Sequence, residues 1–156
     1  MSPPFEVAKA HRWFAIELNN HAWDLIDAPA RTAEETAEML SAAHAARYHW
    51  RQVGTLVNHV RAESLVAAAY LAAGQPTLAL GYAQTCLLLC EQAGDDATAF
   101  DRACAYGGLA NALAALQQSA QARGFYAQAL QEVAQFEDAD ERAVFEKLYP
   151  AIEMTE

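Results

Sequence analysis

Cysteine, basic residues and chain-breaking residues are all scarce in this sequence, and each scarcity excludes something. Three cysteines in 156 residues are too few, and odd in number, for a disulfide framework. They fit a reducing compartment, and a cytoplasmic location is expected. Met1-Ser-Pro-Pro-Phe5 shows no basic stretch followed by an apolar run, so no secretory signal is read there. Ten Lys and Arg stand against twenty Asp and Glu, a net charge of −10. That balance argues against a nucleic-acid partner, because gripping phosphates needs clustered cations. No window alternates polar and apolar residues over strand length, and the seven glycines and five prolines fall mostly where helices end. Charge of either sign is missing from Ser64 to Cys90. Gly74-Gln75-Pro76-Thr77 interrupts that run and its flanks are alanine-rich, so no membrane span is expected.

What is present is helical. The composition is 54% hydrophobic, and alanine and leucine dominate it. The spacing predicts helices over Phe5–Asp27, Thr32–Val53, Thr55–Ala73, Pro76–Gly94, Asp95–Leu116, Ser119–Phe136 and Asp138–Pro150. Thr32-Ala-Glu-Glu35 and Asp138-Ala-Asp-Glu141 read as capping boxes, Asp95 or Asp96 as the cap of helix five, and Ser119 as the cap of helix six. Gly74 suits a left-handed helix end, and Pro76 the first turn of helix four. The length suits one all-helical domain, 1–156. Within it, 1–61 is rich in His and Trp and nearly neutral, with seven acids and six bases. Residues 62–136 form a middle region, and 137–156 a short acidic helix and tail. From 62 onward there are thirteen acids and four bases, enough to provide solubility or a face for a basic partner.

The middle region repeats itself. Ala67, Tyr70, Gly74, Ala79, Ala83, Cys86 and Leu87 are echoed forty-three residues later by Ala110, Leu113, Gln117, Ala122, Tyr126, Ala129 and Leu130. A small residue, a bulky one, a break and further small residues at helical spacing, written twice, are the pattern of hairpins that stack on one another. This resembles the tetratricopeptide (TPR) repeat over residues 63–133, with Gln117, Ala83 and Cys86 where that family has glycine, an aromatic residue and alanine. The repeat is also longer than the family's unit of about thirty-four residues. The resemblance implies an all-α protein of about seven antiparallel helices stacked as TPR-like hairpins. It implies a protein-interaction module rather than an enzyme, with a concave groove lined from helices one, three and five. Helices three and four, uncharged from Ser64 to Cys90, are expected to be covered on more than one side, by neighbouring helices of the stack or by a second copy of the chain, and a homodimer through the 64–90 hairpin is expected.

A second reading rests on the first three helices. Glu17, His21 and Asp24 fall within about sixty degrees of one another on a helical wheel, flanked by apolar residues. His59 and Glu63 are four apart on an apolar face, and His44 lies near Tyr48 and Arg51. If these groups meet, imidazole and carboxylate suit a transition metal, with His21, His59 and Glu63 as ligands, or a small polar ligand. The bland alternative is a hydrogen-bonded structural network balanced by Arg51. The spacing matches no His-Glu-x-x-His motif and no glycine-rich phosphate loop, so no cofactor is predicted. Cys86, Cys90 and Cys104 read as core, Gly107-Gly108 as a site of close helix approach, and Trp50 as core with Met39, Ala43 and Ala46. Trp23 is expected to cap the bundle or meet a partner, and His49 to face solvent.

Overall fold

The computed structural model describes residues 2–152, so the last four residues of the expected acidic tail lie outside the described residues. Among the described residues there are seven α-helices and no strand. They are α1 (Val7–Asp27), α2 (Ala33–Val53), α3 (Leu56–Ala72), α4 (Pro76–Ala93), α5 (Ala99–Ala115), α6 (Ser119–Val133) and α7 (Ala139–Leu148). Consecutive helices form three hairpins, α1/α2, α3/α4 and α5/α6. Helix α3 touches α1 on one side and α5 on the other, while α2 packs on α3 and α4 on α5. The hairpins therefore stack in chain order. Helix α7 crosses back over α5.

The caps keep the forty-three-residue register of the sequence. Asn58 Oδ1 accepts from the Thr55 amide and hydroxyl at the start of α3, and Thr98 and Asp101 close a fully reciprocal box at the counterpart position of α5. Such a cap is worth about 0.5–2 kcal/mol. At the turns, Gly74 has φ 70° and Gln117 has φ 61°. The hydrogen bonds Gln75 N–H to Tyr70 O and Gln118 N–H to Leu113 O are both 2.9 Å. The hairpin geometry thus imposes a left-handed residue at a position where the second copy has no glycine. Three expected caps are corrected. Asp95 and Asp96 sit in a short 3-10 turn, and Thr98 caps α5. Gln118, not Ser119, precedes α6 and offers no side-chain bond. Asp138 accepts from the Asp140 amide, so its box with Glu141 is not formed. The Thr32–Glu35 box is present as read.

The core is built largely from alanine, which lets helices approach closely. Ala22, Met39, Ala43, Ala46, Leu65 and Ala69 join the first two hairpins. Cys86 and Cys90 are buried with Val60, Ala97 and Ala105, and Cys104 lies with Tyr126, Phe145 and Tyr149. Trp50 is half-buried, outside the core expected for it, with the Arg12 guanidinium 6.0 Å from its ring. Arg31 clamps two helix ends at once. It donates to the carbonyls of Leu25 (2.9 Å) and Ile26 (3.0 Å) at the end of α1, and to Ala72 (2.9 Å) at the end of α3. A cation there also complements both helix dipoles. Helix α3 is covered on most sides as expected, whereas α4 leaves Leu78 and Leu88 about half exposed. No helix among the described residues is long and apolar enough to cross a membrane.

Candidate functional site

Helices α1, α3 and α5 line one face of the stack, and α7 lies across it. Between them is a cavity of about 500 Å³. Its walls are apolar: Trp23 from α1, Val60 from α3, Phe100 from α5, and Val144 and Leu148 from α7. A cavity of this size with apolar walls and a few polar groups has the make-up of a recognition site. Its polar groups are organised in pairs. Arg61 forks onto Asp101, Nε to Oδ1 at 2.8 Å and Nη2 to Oδ2 at 3.1 Å. Lys147 Nζ lies 3.0 Å from Asp27 Oδ2, joining α7 to α1. Tyr149 Oη and Ser64 Oγ, 3.5 Å apart, join α7 to α3.

Asp101 is 4% exposed and its two oxygens are fully used, by Arg61, the Thr98 amide and the Thr98 hydroxyl. Burial pushes its carboxyl up, but the Arg61 and Thr98 hydrogen bonds outweigh that and hold it below the usual range. Burial pushes the Tyr149 hydroxyl and the Cys104 thiol well up, so neither supplies a nucleophile near neutral pH. Helix α7 is seated by glycine. A Cβ on Gly107 would lie 2.7 Å from Tyr149 Cγ, so Gly107 admits the ring of α7 rather than the backbone of a neighbouring helix.

A second polar cluster lies between α2, α3 and α4. His44 Nε2 is 2.8 Å from Tyr70 Oη, and the imidazole meets Tyr70 and Tyr82 edge-on. The two tyrosines stack with centroids 5.5 Å apart. Arg47 lies over Tyr82 and donates from Nε to Glu63 Oε1 at 2.7 Å; Arg51 is 3.7 Å from the same oxygen. Glu63 is 1% exposed, and its Oε2 has no hydrogen-bond partner. Burial, reinforced by Arg47, lowers the pKa of His44 against the opposing pull of Glu63.

Of the six groups of the His/carboxylate reading, four lie apart from the rest. Glu17, His21 and Asp24 are exposed, and His21 pairs with Glu38 of α2 at 2.7 Å. His59 approaches the Trp50 carbonyl, 3.2 Å away, at the end of α2. His44, Arg51 and Glu63 do converge, with Arg47 as the closer cation. Helical-wheel position placed Glu17, His21 and Asp24 on a covered face, but all three are exposed, because the partner helix covers a neighbouring stripe of α1 instead. Among the described residues, no group of three or more His, Cys, Asp or Glu could hold a metal ion. His49 is partly covered rather than solvent-facing, because its Nδ1 lies 2.7 Å from His11 Nδ1 and its ring stacks on Phe14.

Sequence reasoning missed Arg61, Asp101 and the return of α7. Thr55-x-x-Asn58 and Thr98-x-x-Asp101, forty-three residues apart, were the available signal for Asp101. Nothing in the sequence pattern signals which face α7 covers. No family model, curated protein or solved structure matches the chain.

Proposed function

We propose that this chain is a cytoplasmic interaction module of the helical-repeat kind, TPR-like in plan, which holds a partner protein on its concave face. The observation that carries this reading is the cavity to which α1, α3 and α5 each contribute walls. Those are the helices that line the groove in the repeat family the sequence resembles. The forty-three-residue register of caps and turns supports stacked hairpins as the plan. The titratable groups that converge are tied into structural pairs, Arg61–Asp101 and Arg47–Glu63, rather than poised for proton transfer.

In the same reading, two copies pair through α4. Its outer face carries no charge before Glu91 and exposes Leu78 and Leu88. Beside it a groove of about 290 Å³ runs between α4 and α6, lined in part by Leu80, Leu87, Leu113 and Phe125. On a chain of net charge −10, an uncharged face is where two copies repel least.

A photo-crosslinking residue placed at Val144, at the cavity, is expected to trap a protein from host lysate. The same residue at Gly124 of α6, away from the cavity, is expected not to. Equal trapping at both positions, or none at Val144, would refute the concave-face reading. Light scattering tests the pairing: a dimer mass at micromolar concentration that falls to the monomer in Leu88→Glu is expected, and a monomer mass for the unaltered chain would overturn it.

A further inference from the structure

We infer that the concave cavity takes a basic side chain of the partner protein, a lysine or arginine whose apolar stem lies on the cavity walls and whose charge meets Glu141. This rests on the concave-face reading and specifies the chemistry it recognises.

Three carboxylates border the cavity, Asp27, Asp101 and Glu141, against two cations, Arg61 and Lys147. Both cations are engaged, Arg61 by Asp101 and Lys147 by Asp27. Glu141 has no cation partner among the described residues, and its charge is near enough to act on the Cys104 thiol at the cavity. An uncharged anchor filling the space would strip water from Glu141 and give nothing back, a net cost. A carboxylate or phosphate would add a further negative charge to the surplus. A basic anchor supplies the missing positive charge, and two aromatic residues, Trp23 and Phe100, are among the walls it would lie on.

Lys147 borders the cavity with its side chain 62% exposed and its ammonium 3.0 Å from Asp27. A partner's long basic side chain can lie along apolar walls while its head stays in water. The wider field agrees, because residues 62–156 carry thirteen acids and four bases, which draws basic segments toward this half of the molecule.

Selection from random peptides displayed on phage tests the proposal with the intact chain. Three variants accompany it: Val144→Trp, which fills the cavity from an exposed position of α7; Glu141→Gln; and Lys147→Met, which keeps the stem and removes the internal cation. Circular dichroism melts establish that each variant folds. Peptides enriched on the unaltered chain and not on Val144→Trp are expected to share a Lys or Arg beside apolar residues. Glu141→Gln is expected to weaken them about tenfold, and Lys147→Met to tighten them by freeing Asp27. Enrichment that is cavity-dependent but uncharged or acidic would overturn the basic-anchor rule and leave the concave-face reading standing. Basic peptides unaffected by Glu141→Gln would overturn it too. Enrichment that survives Val144→Trp, or none at all, would overturn both.

Discussion

Glu63 and Asp101 are both buried carboxylates held by an arginine, yet their surroundings differ in one respect. Asp101 has both oxygens occupied, and half of its partners come from Thr98, three residues away in its own helix cap. Glu63 depends on Arg47 and Arg51 of a different helix and keeps one oxygen without a partner. The Asp101 side of the molecule borders the cavity, and the Glu63 side is the seam between α2 and α3. A carboxylate satisfied by its own cap is secured as soon as the helix forms. One satisfied across a seam is secured only while that seam stays closed, so opening the seam between the first hairpin and the rest strands a buried charge.

The largest effect should come from breaking the more buried of the two pairs. Arg47→Ala leaves Glu63 buried with only Arg51 near it, and is expected to cost about 3–5 kcal/mol in urea unfolding. Adding Glu63→Gln should recover most of that loss. Arg61→Ala should cost about 1 kcal/mol, because that arginine is mostly exposed and Thr98 still serves Asp101. Equal losses for the two arginines would remove the contrast.

Next in size is the seating of α7. Gly107→Ala places a methyl where Tyr149 lies, with an expected cost of about 1–3 kcal/mol and loss of hydrogen-exchange protection confined to α7. Protection that stays unchanged would mean α7 is not held by that contact.

The carboxylates themselves give a smaller and opposite pair. Asp101→Asn should lose about 0.5–2 kcal/mol of cap and ion-pair stability. Glu63→Gln should be neutral or stabilising, since a half-satisfied buried charge is relieved.

The smallest effects are in pH. The carboxyl of Asp101 is depressed in the fold, so its contribution is present above the unfolded value near 3.8 and is lost as pH falls below it. Imidazole His44 is also lowered, but there the sign differs. The unfolded chain takes up the proton first, so stability falls as pH drops below 6.5. His49 has the same sign, through its burial and the neighbouring His11. Urea midpoints between pH 7 and pH 5 should therefore decline, and His44→Gln should flatten part of that slope.

How much of this could be read beforehand follows from where each signal lives. Helices and hairpin stacking were legible because caps, breaks and the 3.6-residue period are local. The forty-three-residue echo even placed the Gly74 and Gln117 turns in register. The N-terminal cluster was legible only in part, since Glu63 is buried where an apolar face was read and Glu17, His21 and Asp24 are exposed. His44 and Glu63 stood in the same candidate group as His21, and nothing local told them apart, since the partner of His21, Glu38, comes from the next helix. The cavity was out of reach because it exists only once α7 folds back, a tertiary choice made by Gly107 and the ring of Tyr149.

Lys147 and Asp27 join the last helix to the first, 3.0 Å apart. Stacks of like hairpins have no inherent length, and a further unit can always be added to an open end. Here one ion pair reaches from α7, which rests on α5, back to the end of α1, and so spans the face that all three hairpins share. A further copy of residues 55–97 inserted between the hairpins would keep its caps and turns and lengthen the span the ion pair must cross. The pair thus works as a strap whose reach is matched to the spacing of these three hairpins.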